Sequence, residues 1–381
     1  MSIFVNSMLK KSCSYSLRTV VPSRSIYVTQ VQQLYSQASL GIDGYLHTRK
    51  KIKEQFANFT DKFRTKMTEF VTDPKNMIFT EDLKNMIHLA EPTDLKLVTN
   101  MIKKFNSDNS EFRFGSFVFG PVVMRMYHFL DAPNEALKCF EDPNNSGFFD
   151  QLVSYQILMD LLYNHEMYEE IYRVFERIKE RQINMTKFPK YPLVLVFASC
   201  YKQNTPQSLE YASKLWSEMT SVGTVPLRRT STYFAALALK QGKPQIAIES
   251  ISSLKQHYVT IRNIKVMGLA DMDRVDDAFP VLRSVMEIDV PEQTHKHTFF
   301  EETISRVRQA VEKSKNQDVK KEFENIEKAL RDRGLVDEQT LDQLLNSEIT
   351  LTMKKEQPRG IPSQIKRYPY SHRQRKNFSS S

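Results

Sequence analysis

Val-Ser-Tyr-Gln-Ile-Leu-Met-Asp-Leu-Leu-Tyr, residues 153–163, is followed by a polar break, Asn164-His165-Glu166, and then by a second periodic stretch, residues 168–181. In the first stretch Ile157, Leu158, Leu161 and Leu162 fall at helical spacing. In the second, Ile171, Val174, Phe175 and Ile178 do the same. The pattern predicts two short helices joined by a tight turn. Such a helical hairpin cannot bury both of its apolar faces alone, so it needs copies of itself on either side.

The copies are present. Upstream, residues 122–130 and 135–140 form a pair around residues 131–134, and Ala136 and Phe140 lie 35 residues before Ile171 and Phe175. Downstream, residues 209–219 hold the single tryptophan, Trp216. Residues 231–241 then pair with 245–254 across Gly242-Lys243-Pro244, and Met219 and Leu254 are again 35 apart. A looser copy covers 261–286, and a degenerate pair covers 80–90 and 93–105. A period of about 35 built from paired helices specifies an α-solenoid.

Composition agrees. The 381 residues contain 24 Phe, 16 Tyr and 16 Met, too much apolar mass for a disordered chain. Only 10 glycines are present, which disfavours Gly-turn β folds and Gly-rich phosphate loops. The most apolar stretch, residues 193–200, is far short of the ~18 residues needed to span a bilayer. Cys13, Cys139 and Cys200 are too few and too widely spaced for a disulfide framework or a cysteine zinc site.

The unit at 153–186 resembles a pentatricopeptide repeat. A tetratricopeptide repeat is one residue shorter and places small residues at fixed helix contacts. Phe119-Gly-Pro-Val-Val-Met-Arg-Met, Gly147-Phe-Phe and Phe197-Ala-Ser-Cys-Tyr-Lys extend the resemblance to that family over roughly residues 75–310. The resemblance implies an inner face lined by first helices, on which two side chains per repeat meet one base of single-stranded RNA. One lies in the first turn of the first helix and the other ends the repeat. Carried onto this chain they are Gln156 and Thr186, with Thr232 the matching first-helix position in a later unit. The intervening repeat has apolar Val194 at that slot, and residues 187–192 look like an insertion. Arg228 and Arg229, just before a first helix, are candidate phosphate contacts. Each of these polar residues also has an ordinary reading, as a helix-start or surface residue.

The net charge of +9 resides at the ends. Residues 1–24 carry Lys10, Lys11, Arg18 and Arg24, and the first acid is Asp43. That basic, Ser-rich, acid-free opening is the composition of a mitochondrial transit peptide, with a cleavage neighbourhood at Arg24-Ser25-Ile26-Tyr27. The alternative is a basic tail. Residues 354–376 carry eight cations against Glu356, interleaved with Tyr368 and Tyr370, and Phe378 follows; this suits an arm that tracks a phosphate backbone. A third basic stretch, residues 47–70, is predicted as one helix. Residues 299–345 read as two polar helices joined near Arg333-Gly334, a solenoid cap or partner seam.

No phosphate loop, dinucleotide fingerprint, paired-His zinc motif or nucleophile elbow occurs. Asp271, Asp273, Asp276 and Asp277 cluster, but the sixth and twelfth places of a calcium loop hold Asp276 and Leu282. A turn and helix start explain them better. His295 and His297 stand two residues apart, and a chance pair is the default reading.

The expectation is an all-α fold, an α-solenoid of pentatricopeptide-type hairpins with a helical C-terminal region and disordered ends. Residues 1–26 are read as the transit peptide, 27–74 as a basic helical segment and 75–290 as the repeats. Residues 291–350 are read as the C-terminal cap and 351–381 as a disordered basic tail. The resemblance implies a non-enzymatic RNA-binding protein of the mitochondrial matrix, acting in mRNA processing, maturation or stability and so supporting respiratory-chain expression. Its expected partner is single-stranded mitochondrial RNA, with RNA-processing proteins or the ribosome beside it. No cofactor, metal, catalytic residue or small-molecule substrate is expected. The alternative is a helical-repeat protein scaffold. Deleting residues 1–26 is expected to leave the protein in the cytosol; undiminished import in a fractionation assay would overturn the targeting reading.

Overall fold

Apolar residues at helical spacing on two successive stretches, with no room for a long loop, force the chain into stacked hairpins. A computed structural model describes residues 33–108, 117–254, 258–287 and 297–350. The targeting segment and the basic tail lie outside the described residues, as does His295.

Eighteen α-helices are present among the described residues. A short α1 (Gln37–Leu40) leads into α2 (Ile42–Phe56) and α3 (Thr60–Thr72). Six hairpins follow: α4 (Thr80–Leu89) with α5 (Leu95–Asp108), α6 (Gly120–Phe129) with α7 (Pro133–Glu141), α8 (Leu152–Asn164) with α9 (Tyr168–Arg181), α10 (Lys190–Gln203) with α11 (Pro206–Ser221), α12 (Arg228–Lys240) with α13 (Pro244–Ile251), and α14 (Val259–Asp271) with α15 (Val275–Ser284). The cap is α16 (Glu301–Ser314) with α17 (Gln317–Asp332), then a short α18 (Leu341–Leu345). Two-residue strands β1 (Phe299–Phe300) and β2 (Val336–Asp337) pair in parallel and tie the start of the cap to its end.

The first helices pack on one another in chain order, from α4 through α6, α8, α10, α12 and α14 to α16. Each second helix packs on its own first helix, and from α7 to α15 also on the next one. Ile157, Leu158, Leu161 and Phe175 are buried as the periodicity requires.

The turns from α6–α7 to α16–α17 share one device. Asp131, Glu166, Asn204, Gly242, Asp273 and Lys315 each have positive φ at the corner between the paired helices. A left-handed residue reverses the chain in the fewest steps, and only one of these six is glycine, the residue that adopts this region without strain.

Three sequence expectations change. The basic stretch 47–70 is two helices, broken at residues 57–59, and Arg49 ties the first of them to α4 by donating to the His88 and Ala90 carbonyls at 2.7 Å each. The two cap helices join at Lys315-Asn316, where Lys315 is left-handed and Asn316 caps α17 through the Asp318 N–H; Arg333-Gly334 ends the second helix instead. Residues 187–192 divide between the α9–α10 connector, which runs over 182–189, and the first turn of α10. A 3-10 turn at Ile183–Met185, with Gln182, Asn184 and Met185 at positive φ, links α9 to α10 directly.

Leu161→Ala is expected to cost about 2–5 kcal/mol in urea unfolding, as a cavity in a packed core does. A loss below about 1 kcal/mol would show that the site collapses freely.

Candidate functional site

The first helices at the centre of the row have no open stripe. Residues 154–163 of α8 are buried without interruption, as are 192–201 of α10 and 230–239 of α12. A helix buried all round needs cover on every side. Neighbouring helices provide part of it, and the chain's own ends provide more.

Two segments distant in sequence make that cover. Residues 34–36 run parallel to Ile349: the Ile349 N–H donates to the Leu34 carbonyl at 2.8 Å, and the Ser36 N–H donates to the Ile349 carbonyl at 3.2 Å. The α1 helix packs on α8, and α18 packs on α12 and α14. Leu34, Tyr35, Leu40, Leu341 and Leu345 all enter the main core. Gly41 turns the chain out of α1 at φ 69°, a left-handed conformation that strains a larger residue, and the Arg125 guanidinium lies 2.9 Å from where a Cβ would project. Arg125 Nε in turn donates to the Leu40 carbonyl at 2.8 Å.

Polar side chains on the first-helix row hold the C-terminal strap. Arg229 donates to the carbonyls of Leu344 and Ser347 at 3.0 Å each, to the Ser347 hydroxyl at 2.8 Å and to the Leu345 carbonyl. It thereby satisfies the orphan carbonyls at the end of α18. The Tyr233 hydroxyl donates to the Leu345 carbonyl at 2.6 Å, and the Tyr201 hydroxyl to Asp342 Oδ1 at 2.9 Å. Lys240 Nζ stands 3.5 Å from the same carboxylate oxygen. Burial pushes Asp342 up, but the Tyr201 hydroxyl with Lys240 and Lys202 outweighs it and holds the carboxyl below its usual range. Burial pushes the Tyr201 and Tyr233 hydroxyls far up, so both remain neutral donors.

Tyr35 completes the arrangement. Its hydroxyl donates to the Tyr191 carbonyl at 3.1 Å. Burial raises its pKa, Asp160 and Tyr233 add to the rise, and Arg229 opposes it. These residues of α8 and α12 therefore lie close enough to Tyr35 to influence its charge. Asp160, fully buried, bonds His128 Nε2 at 2.9 Å.

The sequence-identified residues fall in different settings. Gln156 is 9% exposed on α8, and its Nε2 has no hydrogen-bond partner. It lies one turn before Asp160 on the same helix face. Thr186 is half-buried in the α9–α10 connector, with its N–H on the Ile183 carbonyl. Thr232 is buried, and its hydroxyl donates to the Arg229 carbonyl at 2.9 Å. Arg228 is exposed and stacks 3.8 Å over the Tyr258 ring. Arg229 is committed to the strap. The structure brings Thr232 and Arg229 together on α12 and leaves Gln156 on another helix.

The aspartate cluster is a turn with ion pairs: Asp271 meets Arg306 at 2.9 Å and Asp277 meets Arg274 at 2.6 Å. His297 Nδ1 lies 3.2 Å from Arg262 Nη2. Sequence reasoning missed Tyr201, Tyr233, Lys240 and Asp342. The one signal for them was the near-continuous apolarity of 193–200, interrupted only by Ser199, which leaves no stripe for an open face.

No family model matches the chain. It is 27% identical over 271 residues to a Mus musculus protein named pentatricopeptide repeat-containing protein 2, mitochondrial, a match covering 71% of this chain and 70% of the relative. The Homo sapiens protein of that name is 28% identical over 271 residues, 71% of this chain and 69% of the relative. The Danio rerio protein is 28% identical over 301 residues, 78% and 77%. The resemblance to pentatricopeptide-repeat proteins thus extends over most of both chains.

Tyr233→Phe removes one donor from the strap and is expected to cost about 1 kcal/mol, the net worth of a hydrogen bond. Hydrogen exchange should quicken at residues 341–349. Unchanged protection there would show that Tyr233 does not hold the strap.

Proposed function

We propose that this chain, a relative of the mitochondrial pentatricopeptide repeat-containing protein 2 sequences, is a non-enzymatic RNA-binding protein of the mitochondrial matrix. It binds single-stranded mitochondrial RNA and acts in mRNA processing, maturation or stability, and so supports respiratory-chain expression. The names of the relatives and the acid-free N-terminus support the compartment. The observation that carries the RNA reading is Gln156. Its amide is nine-tenths buried on a first helix with Nε2 unpartnered, at the position where the family places a base-reading side chain. An unpaired buried donor costs about 1–3 kcal/mol, and a base acceptor would satisfy it. Thr186 and exposed Arg228 are the accompanying base and phosphate contacts.

One observation favours a protein scaffold as the second reading. The first-helix row already holds a peptide segment through its main-chain carbonyls.

RNA affinity has a phosphate term and a base term, which separate the readings. Removing residues 354–381 strips eight basic residues and is expected to weaken binding to many sequences. It should also flatten the salt dependence by roughly 0.7 in slope for each phosphate that is no longer neutralised. Gln156→Ala is expected to cost about 1–3 kcal/mol of sequence preference and to leave the salt slope nearly unchanged. If residues 27–381 show no salt-dependent retention of any mitochondrial transcript, the scaffold reading stands alone.

A further inference from the structure

The donors that hold the C-terminal strap are of the kind that bind phosphate. A guanidinium that reaches several oxygens at once, a tyrosine hydroxyl on a carboxylate and a lysine beside it recur wherever an oxyanion is recognised. In this chain their oxygens come from the strap. Asp342 supplies the carboxylate to Tyr201 and Lys240, and residues 344–347 supply the carbonyls to Arg229 and Tyr233. Exposed Lys202 adds positive charge near Asp342.

The strap is charged to suit this role. Residues 335–350 carry Asp337, Glu338, Asp342 and Glu348 and no Lys or Arg, and the eight-cation stretch begins at Lys354. The strap is also lightly built. The α18 helix has five residues, too few to be stable on its own. The Asp342 side chain is 53% exposed and that of Lys240 is 38% exposed, so solvent reaches this pair. On the elements that meet here two polar atoms are left unpaired: Thr230 Oγ1 on α12 and Asn346 Oδ1 on the strap are buried without partners. The strap fits the row incompletely.

We propose that Tyr201, Lys202, Arg229, Tyr233 and Lys240 form a binding site for the phosphate backbone of single-stranded RNA, which residues 341–349 hold shut by presenting an acidic substitute for that backbone. The proposal rests on the RNA reading above and adds where the phosphates bind and what competes with them. RNA enters as the strap leaves, and the apparent affinity is lowered by the fraction of molecules in which the strap is closed.

The test uses the full chain and an oligouridylate, with hydrogen exchange at residues 341–349 as a second readout. Asp342→Asn keeps the shape of the side chain and removes its charge. It is expected to tighten RNA binding roughly tenfold by raising the open fraction. Asp342→Ala should act in the same direction, and its exposed position keeps the fold intact. Arg229→Ala also loosens the strap but removes a phosphate donor, so its affinity should fall below that of Asp342→Asn. RNA should speed exchange at 341–349 in the wild type. If the wild type binds RNA while Asp342→Asn binds it no better and RNA leaves the strap protected, the strap proposal is overturned and the RNA reading survives. If neither protein retains RNA at any salt concentration, both fall.

Discussion

The structure depends on the burial of its first helices on every side. Ten consecutive residues of α8, of α10 and of α12 are withdrawn from solvent. An amphipathic helix needs cover on one face, and a solenoid of such helices can leave its inner surface open. These helices cannot. Their inner surface must be covered by something apolar on one side and able to satisfy polar neighbours on the other. Residues 34–40 and 341–349 do this, by inserting Leu34, Tyr35, Leu341 and Leu345 and by pairing with each other through backbone hydrogen bonds.

Buried and half-buried arginines join the parts that this arrangement brings together. Arg49 satisfies the carbonyls at the end of α4, Arg125 that of Leu40 at the end of α1, and Arg229 those at the end of α18. In each case a planar, multidentate donor meets the unpaired carbonyls of a helix terminus. In this structure these three arginines are committed to the chain's own carbonyls. Arg64, from the same basic stretch as Arg49, is likewise paired with Asp94 at 2.9 Å. The exposed cations around the strap, Lys202 and Lys240, sit where the acidic segment crosses the row.

The candidate site was partly legible. Family resemblance placed Gln156 on a first helix, and the structure puts its amide there with an unpaired nitrogen. The same reasoning put Thr232 inside its helix but Arg229 just before it, whereas α12 begins at Arg228, and it could not show the partners of either. Arg229 bonds residues more than 110 positions away, and no local pattern encodes an interaction at that separation. Tyr201 and Tyr233 fell within apolar runs and read as core, which they are, except that each hydroxyl reaches the strap.

The hairpins themselves were determined by the sequence. Helical periodicity, a polar break and a residue able to turn left-handed are local properties, and local properties survive without knowledge of the fold. The even period of about 35 did not survive, because the second helices differ in length, from eight residues in α13 to sixteen in α11. Only the tertiary structure decided whether the inner face is open. That outcome depends on two segments, separated by about 300 residues in the chain, meeting as a parallel pair at Tyr35 and Ile349. Each segment alone is too short to fold, and the apolar row between them gives both a surface to fold against.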